Sequence, residues 1–412
     1  MGAKDAPGRR VMTPSPPRMP PPRPRVLVDV SVLGTDSRDR GIGRYVRDLV
    51  GGLAAAAPAD LALAALENAA WGSRAGVDDD LRAAAARRDA APLALHRRWA
   101  RVMRWRAPRV AARRDVALLH LGHPEASPLR RVATPLVITC HDLIPLRFPA
   151  HYTNWKRGYG WGQRRLDHRR YHVADHVIAV SQATAHDLVA ELEVPAHRIT
   201  VVPNGVDLDR WSSLPRTSDG DVLRRHRLEG RPYALYVGAG DWRKNVSGML
   251  EGLARARRRP GGSELRLVWA GRLSRRWARD LARGIRARGL SGAVVTTDFV
   301  SDDDLAALYR HAALSLFVSR AEGFGYPVVE AMASGCPVVT CGHTSMGEVA
   351  GDAAVLVDPE DHDDIATAML DLVRDPAARE QRRQAGRKRA ARFTLQATAE
   401  GTLEVYRRLL GI

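Results

Sequence analysis

Short apolar runs alternate with amphipathic stretches along nearly the whole chain, and the alternation stops and restarts once. Runs at 25–30, 61–66, 117–120, 135–139, 176–180 and 199–202 read as strands. Between the last two, residues 182–191 read as a helix with Ser181 as its N-cap. Pro203-Asn204-Gly205 is a turn signal, and 211–232 is polar and aperiodic. Strand candidates resume at 233–237, 265–270, 293–296, 314–318, 338–340 and 354–357, with a helix at 302–311 whose first turn is acidic. Helical stretches at 361–374, 377–392 and 395–410 end the chain. Alternation of this kind builds parallel sheets covered on both faces. The chain is therefore predicted to be α/β, with two tandem doubly wound, Rossmann-like domains facing a central cleft. The expected boundaries are a tail at 1–24, a first domain at 25–205, a linker at 206–232, a second domain at 233–394 and a C-terminal helix at 395–412. Ligands in such folds lie at the carboxyl ends of the strands.

A length of 412 residues supplies two domains with substantial cores. No run of about twenty apolar residues occurs, so no spanning helix is expected. The N-terminus lacks an apolar signal core and is rich in Pro and Arg, which reads as a disordered tail. Cys140, Cys336 and Cys341 have neither metal-ligand nor disulfide-framework spacing, and a cytoplasmic location is expected. The net charge of +18 is carried mostly by arginine. Abundant Ala, Arg, Gly and Pro point to a GC-rich genome as the source of much of that excess. The local remainder lies in two stretches. One runs from Leu95 to Arg114 with Arg97, Arg98, Arg101, Arg104, Arg106, Arg109, Arg113 and Arg114 around Leu95, Trp99, Val102 and Met103 at helical spacing. The other carries Trp155, Lys156, Arg157, Tyr159, Trp161, Arg164 and Arg165. Each reads as a surface helix with solvated arginines, or as an acceptor face or peripheral contact with the inner, anionic face of a membrane.

Three segments carry chemistry. After the run at 314–318 comes Glu322-Gly-Phe-Gly-Tyr-Pro-Val-Val-Glu330, with Gly323, Phe324 and Gly325 turning the chain and Pro327 suited to a first helical position. A strand, a Gly-rich turn and a helix N-terminus make an anion site, and carboxylates beside it suit sugar or ribose hydroxyls. That combination predicts a nucleotide-sugar site. After 233–237 the segment Gly238-Ala-Gly240-Asp-Trp-Arg243-Lys244 places a fork donor and a compact cation where a diphosphate could be clamped. In the first half, His141-Asp142 ends the run at 135–139, and Gly41-Ile-Gly43-Arg-Tyr opens a helix.

These segments resemble the motifs of retaining glycosyltransferase family 4, the glycosyl transferases group 1, which have the GT-B fold. The motifs occur in the family's order over roughly 25–408, nearly the whole ordered chain. The resemblance implies that Glu322 contacts donor-sugar hydroxyls, Glu330 the ribose, Arg243 and Lys244 the diphosphate, and His141 the region of the transferred sugar. It also implies that Gly43 brings backbone amides to the phosphates from the opposite domain. Many members carry Arg directly after the first Gly of the basic loop, where this chain has Ala239. The motif set looks mannosyltransferase-like, so GDP-mannose is the first choice of donor. The acceptor is expected to be a glycan, a lipid-linked sugar or a small molecule.

Asp207-Leu-Asp209 has the look of a metal-binding Asp-x-Asp, but it follows the turn at 203–205 with no other ligand cluster. No metal and no resident cofactor are expected, the nucleotide-sugar being a co-substrate. A nucleotide-sugar epimerase on the same fold remains an alternative. No nucleic-acid-binding module is apparent. A dinucleotide-binding fingerprint fails because Val46 fills the place of the third Gly.

Overall fold

Val, Ile and Leu at consecutive positions leave a strand no polar face, so helices must cover both sides. A computed structural model of the chain describes residues 23–35, 37–38, 41–69, 74–78, 81, 83, 96–113, 116–152 and 161–412, and it has this layered form. The first sheet contains β1 (Arg25–Asp29), β2 (Ala62–Ala69), β3 (Arg74–Asp78), β4 (Val116–Leu121), β5 (Leu136–Cys140), β6 (His176–Ala179) and β7 (Ile199–Val201). Their order is β3-β2-β1-β4-β5-β6-β7, and only β3 runs antiparallel to its neighbour. The second sheet contains β8 (Tyr233–Val237), β9 (Arg266–Ala270), β10 (Val294–Asp298), β11 (Leu314–Phe317), β12 (Val338–Cys341) and β13 (Val355–Val357). It is parallel throughout, in the order β10-β9-β8-β11-β12-β13. Every expected strand forms. Edge strand β3 was not expected, because Arg-Ala-Gly-Val-Asp offers no apolar run.

Strand order reverses between β1 and β4 and again between β8 and β11. At such reversals the connections leave the sheet on opposite faces and open a crevice. The segments holding Arg243, Lys244 and Glu322 follow β8 and β11, while Gly43 and His141 follow β1 and β5.

The helix ends agree with the expected Ser181 cap and first-turn Pro327, and Ser301 adds a cap not singled out from the sequence. Ser181 Oγ accepts from the Thr184 N–H before Gln182–Leu192, and Ser301 does the same for Asp302–His311. Helix Tyr326–Ala333 has Pro in its first turn, and Gly325 precedes it at φ +98°, a left-handed conformation that suits glycine.

Residues 206–232, expected as a linker, are instead folded into the second domain. Trp211 is 0% exposed within that domain's core, beside Val206, Val222 and Leu228. Asp219–Arg225 is a short helix packed on Asp302–His311. Buried Asp219 accepts from Arg310 Nε at 2.8 Å and Nη2 at 2.5 Å. A few large side chains, the buried Asp219–Arg310 pair and exposed pairs from Arg210, Arg216 and Arg225 to Asp302, Asp303 and Asp304 hold this segment, which is why no hydrophobic period announced it.

The chain crosses between the domains twice, side by side. Val206 N–H donates to Phe393 O at 2.9 Å, and Gly205 lies so close to Thr394 that an added β-carbon would sit 2.2 Å from its carbonyl oxygen. Helix Leu395–Leu410 then returns to the first domain, where Ala399, Leu403, Val405 and Tyr406 join the core.

Among the described residues no helix is long and apolar enough to cross a membrane. Of the two basic stretches, 96–113 is a helix that buries Met103, Ala107 and Ala111 and exposes Trp105 and Arg109. The side chains of Arg97, Trp99 and Arg101, together with Arg114 and residues 153–160, lie outside the described residues.

Candidate active site

The basic loop leaves β8 through Gly238, forms one tight turn at Trp242–Lys244, and enters helix Val246–Arg258 through Asn245. Arg320 N–H donates to Arg243 O at 2.6 Å, which ties this loop to the one after β11. The tie brings three predicted residues together. Arg243 Nη1 donates to Glu322 Oε2 at 2.5 Å, and Lys244 Nζ donates to Glu322 Oε1 at 2.5 Å. Lys244 Nζ also lies 4.8 Å from the centre of the Phe317 ring. Burial would raise the Glu322 carboxyl, but Arg243 and Lys244 outweigh it and hold the group below the usual range. Burial pushes the Lys244 ammonium down against the pull of Glu322. Arg243 and Lys244 are both poorly hydrated and share Glu322, with Asp241 Oδ1 3.9 Å from Arg243 Nε; a diphosphate could take the place of Glu322 on this cation pair.

Eight residues on, Glu330 faces a different set of groups. It is 2% exposed, receives a hydrogen bond from Arg44 Nη1 at Oε1, and lies 3.4 Å from Tyr309 Oη at Oε2. Burial raises its carboxyl, and Arg44 opposes the rise. The N-terminus of its helix carries no side-chain cap, as an anion-binding helix end requires.

His141 is brought against this loop from the first domain. A β-carbon added at Gly323 would lie 1.8 Å from the His141 carbonyl oxygen. Ser181 Oγ and Thr184 Oγ1 also donate to Gly323 O, at 2.7 and 3.2 Å. Gly323 therefore serves the approach of the other domain, where the sequence had suggested the approach of a ligand. His141 Nε2–H donates to Gly122 O at 2.8 Å, and burial holds the imidazole below the ordinary histidine range, which favours its neutral form.

Two predicted donor contacts are redirected. Phe324 is buried, edge-on to Tyr326 and Phe393, so only its backbone can face a ligand. Gly43 is packed against residues 37–38, and an added β-carbon would meet Ser37 O at 2.3 Å. Its small size serves that contact. Asp207 Oδ1 accepts from the N–H groups of Asp209 and Arg210 at 3.1 Å each, which commits the carboxylate to its own turn. Sequence reasoning missed Arg44. An Arg four residues before Asp48 on a helix reads as a solvated pair, and nothing local points it at a carboxylate 286 residues away.

The model of glycosyl transferases group 1 matches residues 222–389, and that of glycosyltransferase family 4 matches residues 40–210. The MMP α-(1→4)-mannosyltransferase of Mycolicibacterium hassiacum is 30% identical over 74% of this chain and 74% of its own. The chain belongs to glycosyltransferase family 4. A second member, O-antigen chain mannosyltransferase B of Escherichia coli, is 30% identical over 66% of this chain and 70% of its own. The solved structure of Anabaena HepE in complex with UDP and glucose superposes with a TM-score of 0.70 at 16% identity, covering 94% of this chain and all of that one, which shows the shared GT-B fold. This family 4 transferase thus has the predicted fold, with Arg243, Lys244 and Glu322 in one cluster and Glu330 in another.

Proposed function

We propose that this glycosyltransferase moves a hexose from a nucleotide-sugar to a hydroxyl acceptor with retention of anomeric configuration and without a divalent metal. The observation that carries the reading is the Arg243–Lys244–Glu322 cluster in the crevice between β8 and β11, one loop away from buried Glu330. The donor diphosphate would take the two cations, freeing Glu322 for sugar hydroxyls, while Glu330 receives the ribose. As the bond from the anomeric carbon to the phosphate oxygen breaks, charge grows on the leaving diphosphate. Arg243, Lys244 and the amides at the start of Tyr326–Ala333 lie where they could stabilise it. The acceptor oxygen bonds to the same face of the anomeric carbon, and its proton passes to the departing phosphate. Neutral His141 borders the sugar from the first domain.

The mannosyltransferase names of two relatives support GDP-mannose as the first donor to try, and the HepE complex makes UDP-sugars the second. A thermal-shift screen against GDP, UDP, dTDP and ADP identifies the nucleotide. At a hundredfold excess over Kd the right one adds about 2.7 kcal/mol of stability. Transfer assayed with the matching donor in excess EDTA is expected to persist. Activity lost to EDTA and restored by Mn²⁺ or Mg²⁺ would remove the metal-free mechanism. Donor conversion without release of nucleoside diphosphate would favour an epimerase.

A further inference from the structure

The site described so far belongs almost wholly to the second domain, yet Glu330 is bonded to the first. Arg44 stands at the start of helix Gly41–Ala56, next to Gly43, and its Nη1 donates to Glu330 Oε1. The guanidinium is fixed from other sides as well. Its carbon lies 4.9 Å from the centre of the Tyr326 ring and 5.2 Å from that of Trp211, and its Nε is 3.5 Å from Asp48 Oδ2. Two aromatic faces and a second carboxylate hold the cation where Glu330 needs it, so Glu330 alone does not recruit it. Tyr326 Oη is buried beside this group and has no hydrogen-bond partner among the described residues.

We infer that Arg44 is a positioning residue for the donor: it holds Glu330 as an oriented carboxylate toward the ribose diol, so the ribose subsite is complete only when the two domains are closed. This rests on the reading of Glu330 as the ribose contact. Chemically, a carboxylate can accept from both hydroxyls of a diol, whereas a carboxylic acid offers its carbonyl oxygen and one donor that has to find a partner. A carboxyl this deeply buried drifts toward the neutral acid unless a cation opposes the drift. The groups facing Glu330 are Arg44 from the first domain, with Asp48 behind it, Tyr309 and Asp302 from helix Asp302–His311, and Tyr326 from its own helix. Arg44 is the cation of this set. Asp302 pushes the carboxyl up, as burial does.

The test is the affinity for UDP and GDP by isothermal titration at pH 8 and pH 6, comparing wild type with Arg44→Met and Arg44→Lys. The ratio of wild-type to variant affinity cancels the titration of the nucleotide itself. Arg44→Met is expected to bind the preferred diphosphate roughly tenfold more weakly at pH 8, as loss of a charged hydrogen bond implies. The deficit should widen at pH 6 as Glu330 takes up a proton. Arg44→Lys, which keeps the charge, should recover most of the affinity and show a ratio independent of pH. A purely structural role would weaken both variants alike at both pH values, and that result overturns the inference. So does an Arg44→Met protein that binds as wild type, or more tightly, since Arg44 would then be idle or a competitor of the ribose. Wild-type protein that binds no nucleoside diphosphate would instead sink the donor site itself.

Discussion

At the scale of single residues, the site works by matching charges that water would otherwise separate. Lys244 is half of the cation pair on Glu322, and its ammonium is packed over Phe317. Lys244→Ala is expected to lower kcat by roughly a hundredfold or more, because removal of one preorganised charge donor has that effect on a leaving anion. Steady-state kinetics should show a larger change in kcat than in donor affinity, and near wild-type kcat would place the diphosphate elsewhere. His120 tests electrostatics in the first-domain core, behind His141. It is fully buried, bonded to Thr139 Oγ1 at 2.8 Å and Tyr406 Oη at 2.6 Å, and burial pushes its imidazole down to about 3. The unfolded chain binds a proton near the ordinary histidine value while the folded one does not, so stability falls as pH drops from about 6.5 toward 3. The slope from this group approaches about 1.4 kcal/mol per pH unit. His176, pushed down to about 4 by burial and then by Arg408, adds to it. His120→Asn should flatten the decline of Tm between pH 6.5 and pH 4, and an unchanged slope would assign the acid sensitivity to other groups.

At the scale of elements, the strands other than β3 were legible because each is a short, nearly unbroken run of apolar residues, and two helix starts because Ser181 and Pro327 are specific local signals. What escaped the sequence depends on distant partners. Gly323 reads as a loop glycine, yet the His141 carbonyl excludes any side chain there. Phe324 sits between two glycines like a ligand contact, but it packs on Phe393. Helix Asp219–Arg225 has too little apolar period to be seen, and it is tied to another helix by buried Arg310 and by the exposed Arg225–Asp304 pair. Both side chains of the Asp219–Arg310 pair are less than 5% exposed. Asp219→Asn, which leaves the guanidinium buried without its counter-charge, should cost about 3–5 kcal/mol in denaturant unfolding. Replacing the pair together, as Asp219→Leu with Arg310→Met, should recover most of the loss. Equal destabilisation by the single and double changes would mean that the helix is held by its packing and not by the ion pair.

At the scale of the whole molecule, the cleft is held closed by contacts at separate points. Arg44 meets Glu330, and Ser181 and Thr184 meet Gly323. Glu348 Oε2 accepts from the N–H groups of Gln182 and Ala183 at 2.8 and 3.3 Å, and Trp242 stacks on His151 with ring centres 3.5 Å apart. The terminal helix adds a covalent constraint, because it belongs by sequence to the second domain and by packing to the first. A chain ending at Phe393 would lose Ala399, Leu403, Val405 and Tyr406 from the first core, and with them one of the two partners of His120. Hydrogen exchange on such a truncation is expected to show lost protection in Gly41–Ala56 and Val116–Leu121, with Val246–Arg258 retained. Uniform loss across both domains would mean that neither folds without the other.

The return of that last helix also delays the completion of the first domain. Domains that fold while still attached to the ribosome ordinarily finish in the order they emerge. Here the first half emerges early with the seat of Leu395–Leu410 still bare, and most of the second core is made before the missing piece. The first-domain core, though made before the second, is thus sealed after it, and for that interval the groove beside His120 is an apolar surface that a chaperone could cover.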